Sequence, residues 1–182
     1  MLRDPSLVPL SHQHQHGLAL TVLIDRGLSG NPPPEKAAEL ALMVASMAEA
    51  ELLGHFQVEE QVLFPAIRSR LESGGIVEDL IAEHRQMEGF IERIASANGP
   101  ERVRLLTEFG ELLSRHIRVE ERQLFEEIQT KLGAGELKRL GGEIGASVQR
   151  ICPVTSQLPW EKRETPGSKK NPLPEQGAAG SP

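Results

Sequence analysis

Two stretches of the chain say nearly the same thing: HFQVEEQVLF at His55–Phe64 and HIRVEERQLF at His116–Phe125. In each, a histidine is followed four residues later by a glutamate, with a second glutamate directly after it. Residues four apart on an α-helix lie on one face, separated by only about 40°. The repeat therefore predicts two helices that each present a His-Glu pair in the same direction. His55 follows Leu52, and His116 follows Leu112 and Leu113, so both pairs continue an apolar face. His84 sits with Leu80, Ile81, Met87 and Ile91, His16 lines up with Leu20, Leu23 and Ile24, and His14 lines up with Leu18 and Val22.

Proline and glycine divide the chain around these phrases. Leu28–Glu35, Glu72–Ile76, Ala97–Glu101 and Leu132–Glu136 read as loops. Between them lie four segments, at roughly 11–28, 34–71, 76–96 and 100–132, rich in Leu, Ala, Glu, Arg and Gln, which favours helix over strand. Pro34 and Pro100 fall where a first helical turn accepts proline. Short loops between long helices predict an all-α, up-down-up-down four-helix bundle built from a duplicated helix hairpin. A short fifth helix is expected at about Glu136–Ile151, weakened by Gly141, Gly142 and Gly145. One domain, residues 1–151, is expected, followed by a C-terminal tail, 152–182, too poor in apolar residues to fold.

With 3% aromatic residues and no Tyr, the core must be aliphatic. A net charge of −6 argues against general nucleic-acid affinity, which needs a basic surface. The single cysteine, Cys152, excludes an intramolecular disulfide and a Cys-based metal site. No segment is long and apolar enough to span a bilayer, and no signal core is evident, so a cytoplasmic location is expected.

At least four histidines and two or more glutamates thus point into the core from four helices. Burying unpaired carboxylates costs several kcal/mol each unless positive charge lies between them. A metal pair supplies that charge, and imidazole plus carboxylate without thiolate suits iron or manganese, with zinc third. A lone core histidine is more often a satisfied packing residue, and a lone Glu-Glu pair a solvated face, as Glu60 and Glu121 allow. The joint repetition on four helices outweighs those readings. Histidine precedes carboxylate here at i+4, unlike the Glu-x-x-His order of ferritin-like bundles, and no His-Glu-x-x-His peptidase motif occurs.

The phrases SHQHQHGL, GHFQVEEQVLFPAI, IAEHRQMEGF and RHIRVEERQLF, over about residues 8–130, resemble the hemerythrin-like (HHE, cation-binding) family. The resemblance implies two iron ions bridged by two carboxylates and an oxo or hydroxo group. One iron would take His14 or His16 together with His55, and the other His84 and His116. Glu59 would be one bridge, and Glu120 or Glu121 the second. Apolar phase favours His16 and the motif register favours His14. Where oxygen carriers of the family have a second histidine on the third helix, this chain has Glu88, as a ligand, an open position or a solvent-facing residue. A harder, more anionic site favours Fe(III) over reversibly oxygenated Fe(II). The expected function is binding or sensing of a small diatomic or peroxide ligand, or of iron level. A peroxide- or NO-consuming or ferroxidase-like oxidoreductase is the second reading, and a metal-free structural bundle the third.

Overall fold

The computed structural model describes residues 2–30, 32–68, 70 and 75–152. The described residues form five helices and no strand. They are α1 (Val8–Leu28), α2 (34–67), α3 (Ile76–Ser96), α4 (99–131) and α5 (Ala134–Ile151). Prolines stand in the first turns of α1, α2 and α4, where a missing N–H leaves no intrahelical bond unmade. The boundaries lie within a few residues of those expected from the breakers. The expectation for the tail falls on residues outside the described ones, Cys152 excepted.

The helices α1 and α3 each pack against both α2 and α4, while α5 lies along α2 and α1. The helix α5 forms despite Gly141, Gly142 and Gly145, of which Gly141 lies at a close approach while Gly142 and Gly145 face open space. A Cβ at Gly141 would stand 2.6 Å from Ser6, and one at Gly54 would stand 2.5 Å from Cys152 Sγ. Leu137, Leu140 and Ile144 bury its apolar face.

The unexpected feature is inside α2 and α4. Three π-helical turns interrupt their α-helical geometry, at Ala48–Leu52, Glu59–Leu63 and Glu120–Leu124. Their cause lies in the burial pattern. Met47, Glu51, His55, Glu59, Leu63 and Ile67 follow one another at steps of four, and all are buried. So are Leu112, His116, Glu120, Leu124 and Ile128. In an unbroken α-helix each step of four overshoots by about 40°, so five steps would carry Ile67 to the side opposite Met47. A π turn holds more residues per turn and rotates the following residues back. Alternating α and π turns keeps both ladders facing inward.

The core has two apolar halves. One gathers Leu20, Ile24, Leu40, Val44, Met87, Ile94, Leu105 and Phe109, among others. The other gathers Leu7, Leu10, Leu63, Phe64, Ile67, Leu80, Leu124, Phe125 and Ile144. On each of the first four helices the buried histidine falls between residues of one half and residues of the other. No helix among the described residues is long and apolar enough to cross a membrane.

Phe109 is fully buried in the first half. Phe109→Ala is expected to destabilise the chain by about 3–5 kcal/mol, the usual cost of emptying an aromatic core site. Denaturant midpoints of the two proteins check this; a shift under about 1 kcal/mol would contradict the assigned packing.

Candidate metal centre

Between the two apolar halves lies a polar layer of six side chains, all from the four longer helices. His14 comes from α1, His55 and Glu59 from α2, His84 from α3, and His116 and Glu120 from α4. Each is at most 3% exposed. They form two overlapping groups, His14–His55–Glu59–Glu120 and His84–His116–Glu59–Glu120. Within each group, one potential ligand atom per residue lies within 4.8 Å of all the others.

The two carboxylates stand between the histidine pairs. Glu59 Oε1 is 3.2 Å from His55 Nε2, and its Oε2 is 3.4 Å from His84 Nε2, so one oxygen faces each pair. Glu120 Oε2 is 3.1 Å from His14 Nε2 and 3.3 Å from His116 Nε2. The Nε2 atoms themselves face each other, at 3.0 Å for His14 and His55 and 3.2 Å for His84 and His116.

The outer nitrogens fix the protons. His14 Nδ1–H donates to Glu121 Oε1 at 2.7 Å, and His84 Nδ1–H to Glu60 Oε1 at 2.8 Å. His116 Nδ1–H donates to Glu83 Oε2 at 2.9 Å, and His55 Nδ1–H to the amide oxygen of Gln13 at 2.9 Å. These partners can only accept, so each neutral ring carries its proton outside and a lone pair inside. Stacking sets the ring planes: Phe56 lies over His84 with centroids 4.0 Å apart, and Phe125 over His14 at 5.4 Å.

The result is four imidazole lone pairs and two carboxylates converging without a donor. All four carboxylate oxygens of Glu59 and Glu120 are buried and lack a hydrogen-bond partner. Without a cation, protons must supply the missing positive charge. Burial alone would lower His14, yet Glu120, Glu121 and Glu59 hold its pKa well above the usual value. Burial likewise opposes the charge of His84, but Glu59 and Glu120 raise it. Burial alone would raise Glu59, while the surrounding His55, His14 and His84 hold it well below the usual carboxylate range. Such a donor set fits a hard divalent or trivalent cation in each group, with Glu59 and Glu120 shared.

The positions left open by the sequence separate clearly. His14 is in the layer; His16 is 32% exposed and bonds to Glu51 instead, at 3.0 Å and 3.1 Å. Glu120 is fully buried, whereas Glu121 is 25% exposed and also binds Arg3 and Ser11. Burial would raise Glu121, but His14, Ser11 and Arg3 bring it down to about 2. Glu88 is 37% exposed and pairs with Arg85, away from both groups.

The sequence reading did not single out Gln13, Glu51 or Glu83, and it allowed Glu60, like Glu121, to be a solvated residue. Glu60, like Glu121, directly follows an inward-facing glutamate, so it points outward to the neighbouring helix. Gln13 and Glu83 each precede a layer histidine, a shared position that the repeat contains but apolar periodicity does not reveal. Glu51 lies one step before His55 in the buried ladder of α2. It lines a cavity of about 10 Å³ with Gln13, His14, Gly17, His55, His116 and apolar side chains. That is room for about one water-sized molecule. Burial raises the Glu51 pKa, opposed by His16.

An all-α fold with buried, duplicated His-Glu pairs at its centre defines a class of helical cation-binding domains. The profile of the hemerythrin HHE cation-binding domain matches residues 9–128, and the chain belongs to that family. It is also 28% identical over 103 residues to a DNA nickase of Nostoc sp., a match covering 56% of this chain. The matched region spans 29% of that protein's length. No solved structure matches the chain significantly.

The geometry separates Glu120 from Glu121. Glu120→Ala is expected to reduce the metal content of the purified chain, while Glu121→Ala retains it with an affinity about 10–100-fold weaker, the usual effect of losing an outer partner. Elemental analysis and chelator competition on both variants check this; equal loss of metal content in the two would contradict it.

Proposed function

We propose that the chain holds two iron ions in the polar layer and binds or senses a small oxygen- or nitrogen-oxide-type ligand there. The observation carrying this reading is the set of four buried, donorless carboxylate oxygens of Glu59 and Glu120, each residue shared between two histidine pairs. One metal would take His14 and His55 and the other His84 and His116, with both carboxylates bridging. The four protein imidazoles and two carboxylates offer no soft ligand, and the buried Cys152 lies outside both groups, which favours iron over zinc. When bound, such a pair supplies redox chemistry and open coordination positions.

The residues of the chain would orient and isolate the pair. Glu121, Glu60, Glu83 and Gln13 fix the ring orientations, Phe56 and Phe125 wall off two of the imidazoles, and the cavity bordered by Glu51 admits only a small molecule. The surrounding arrangement is read as an up-down-up-down bundle. In α1 and α3 the half containing Leu7 and Leu80 precedes the histidine, and in α2 and α4 it follows, as antiparallel neighbours require. The nicking of DNA by the Nostoc relative is not carried over, since the match spans a minor part of that protein and this chain is net acidic.

Protein purified without added metal is expected to contain two irons per chain, to absorb in the near-ultraviolet, and to melt at lower temperature after chelation. Absence of metal, with melting indifferent to iron and chelator, would refute the reading and leave a structural bundle. One zinc per chain would retain a site and remove the redox function.

A further inference from the structure

The duplication extends to the residues that back the layer histidines, and one place where it fails is informative. Glu60 backs His84 and Glu121 backs His14, two equivalent positions of the repeated phrase. The residue preceding the first-helix histidine backs the second-helix histidine in each half. In the second half this is Glu83, which accepts from His116 at 2.9 Å; in the first half it is Gln13, which accepts from His55 at 2.9 Å. Three layer histidines therefore rest on carboxylates and the fourth on a neutral amide.

Each of the three carboxylates has its own arginine: Arg3 on Glu121, Arg85 on Glu60 and Arg115 on Glu83. Gln13 carries no charge, and among the described residues no carboxylate is bonded to His55 Nδ1. The remaining carboxyl on that side, Glu51, is bonded to His16 rather than to a layer histidine.

A carboxylate behind a metal-bound imidazole makes the ring a stronger donor, and losing such a partner typically weakens metal binding about 10–100-fold. We infer that the two metal positions are inequivalent: the His84–His116 position fills first and empties last, and the His14–His55 position is the exchangeable one, set so by Gln13. This rests on the two-metal reading above. The cavity adjoins Gln13 and both His14 and His55, and of the other pair only His116, so the weaker position has the larger share of the open space. The chain would then hold one metal or two according to metal availability, as a threshold sensor of iron level requires.

Stepwise chelation of the iron-loaded full chain, followed by metal analysis and the optical spectrum, tests the inference. Native protein is expected to lose one metal at a chelator concentration at least about tenfold below that removing the second. Gln13→Glu should draw the two steps together by tightening the first. Glu83→Gln should do so by loosening the second, with folding of each variant confirmed by its melting curve. A native chain that releases both metals in one step, with neither variant altering the profile, would overturn the inequivalence and leave the two-metal reading standing. A native chain that holds no metal would overturn both.

Discussion

Everything in the molecule answers one electrostatic problem: two carboxylates, Glu59 and Glu120, sit in the centre of an aliphatic core with no donor of their own. Desolvating a carboxylate costs several kcal/mol, and among the described residues no buried Lys or Arg offsets that cost. The protein surrounds the carboxylates with four imidazoles whose protons are all turned outward. That choice makes the interior a set of acceptors and leaves the compensating charge to come from a cation, or from protons in its absence. The arginines stay at the periphery, where Arg3, Arg85 and Arg115 neutralise the outer carboxylates rather than the inner ones.

Holding six polar groups in one layer requires α2 and α4 to keep a single face inward over many turns, and an α-helix cannot do so with residues spaced at four. The π turns at Glu59–Leu63 and Glu120–Leu124 begin at the two shared carboxylates themselves. Each places its glutamate one α-helical step beyond its histidine and then returns Leu63 and Leu124 to the core. The irregularity is thus what allows one helix to line both the polar layer and the apolar half beyond it. Its recurrence at both copies of the phrase indicates that the local backbone, like the sequence, is duplicated.

Much of this was legible in the sequence. Proline and glycine located the helices, and Leu, Phe and Ile spacing identified the buried faces. The paired His-x-x-x-Glu phrases pointed to His55, Glu59, His116 and Glu120 because both members of each pair lie within one turn. What one helix could not reveal was how its neighbour approaches. Apolar phase favoured His16 on α1, yet His14 enters the layer, because its ring reaches between α2 and α4 while His16 turns to Glu51 of α2. Glu88 carried a ligand's position in the motif but faces outward on α3, where Arg85 holds it. The π turns were hidden for a different reason: steps of four are compatible with a plain helix over one or two turns, and only the full buried run from Met47 to Ile67 exposes the drift.

The outer ring carries the argument from fold to control. Because each layer histidine is oriented by a residue from another helix, the packing of the helices and the donor strength of the rings are set by the same contacts. Glu121 ties α4 to α1 and to Arg3, Glu60 ties α2 to α3, and Glu83 ties α3 to α4. Gln13 makes the corresponding link from α1 to α2 without a charge. A cation entering the layer would strengthen three of these links through charge-assisted hydrogen bonds and the fourth through a neutral one. The link from α1 to α2 at the layer is therefore the uncharged one, although His16 of α1 also pairs with Glu51 of α2, and the small cavity lies where α1, α2 and α4 meet.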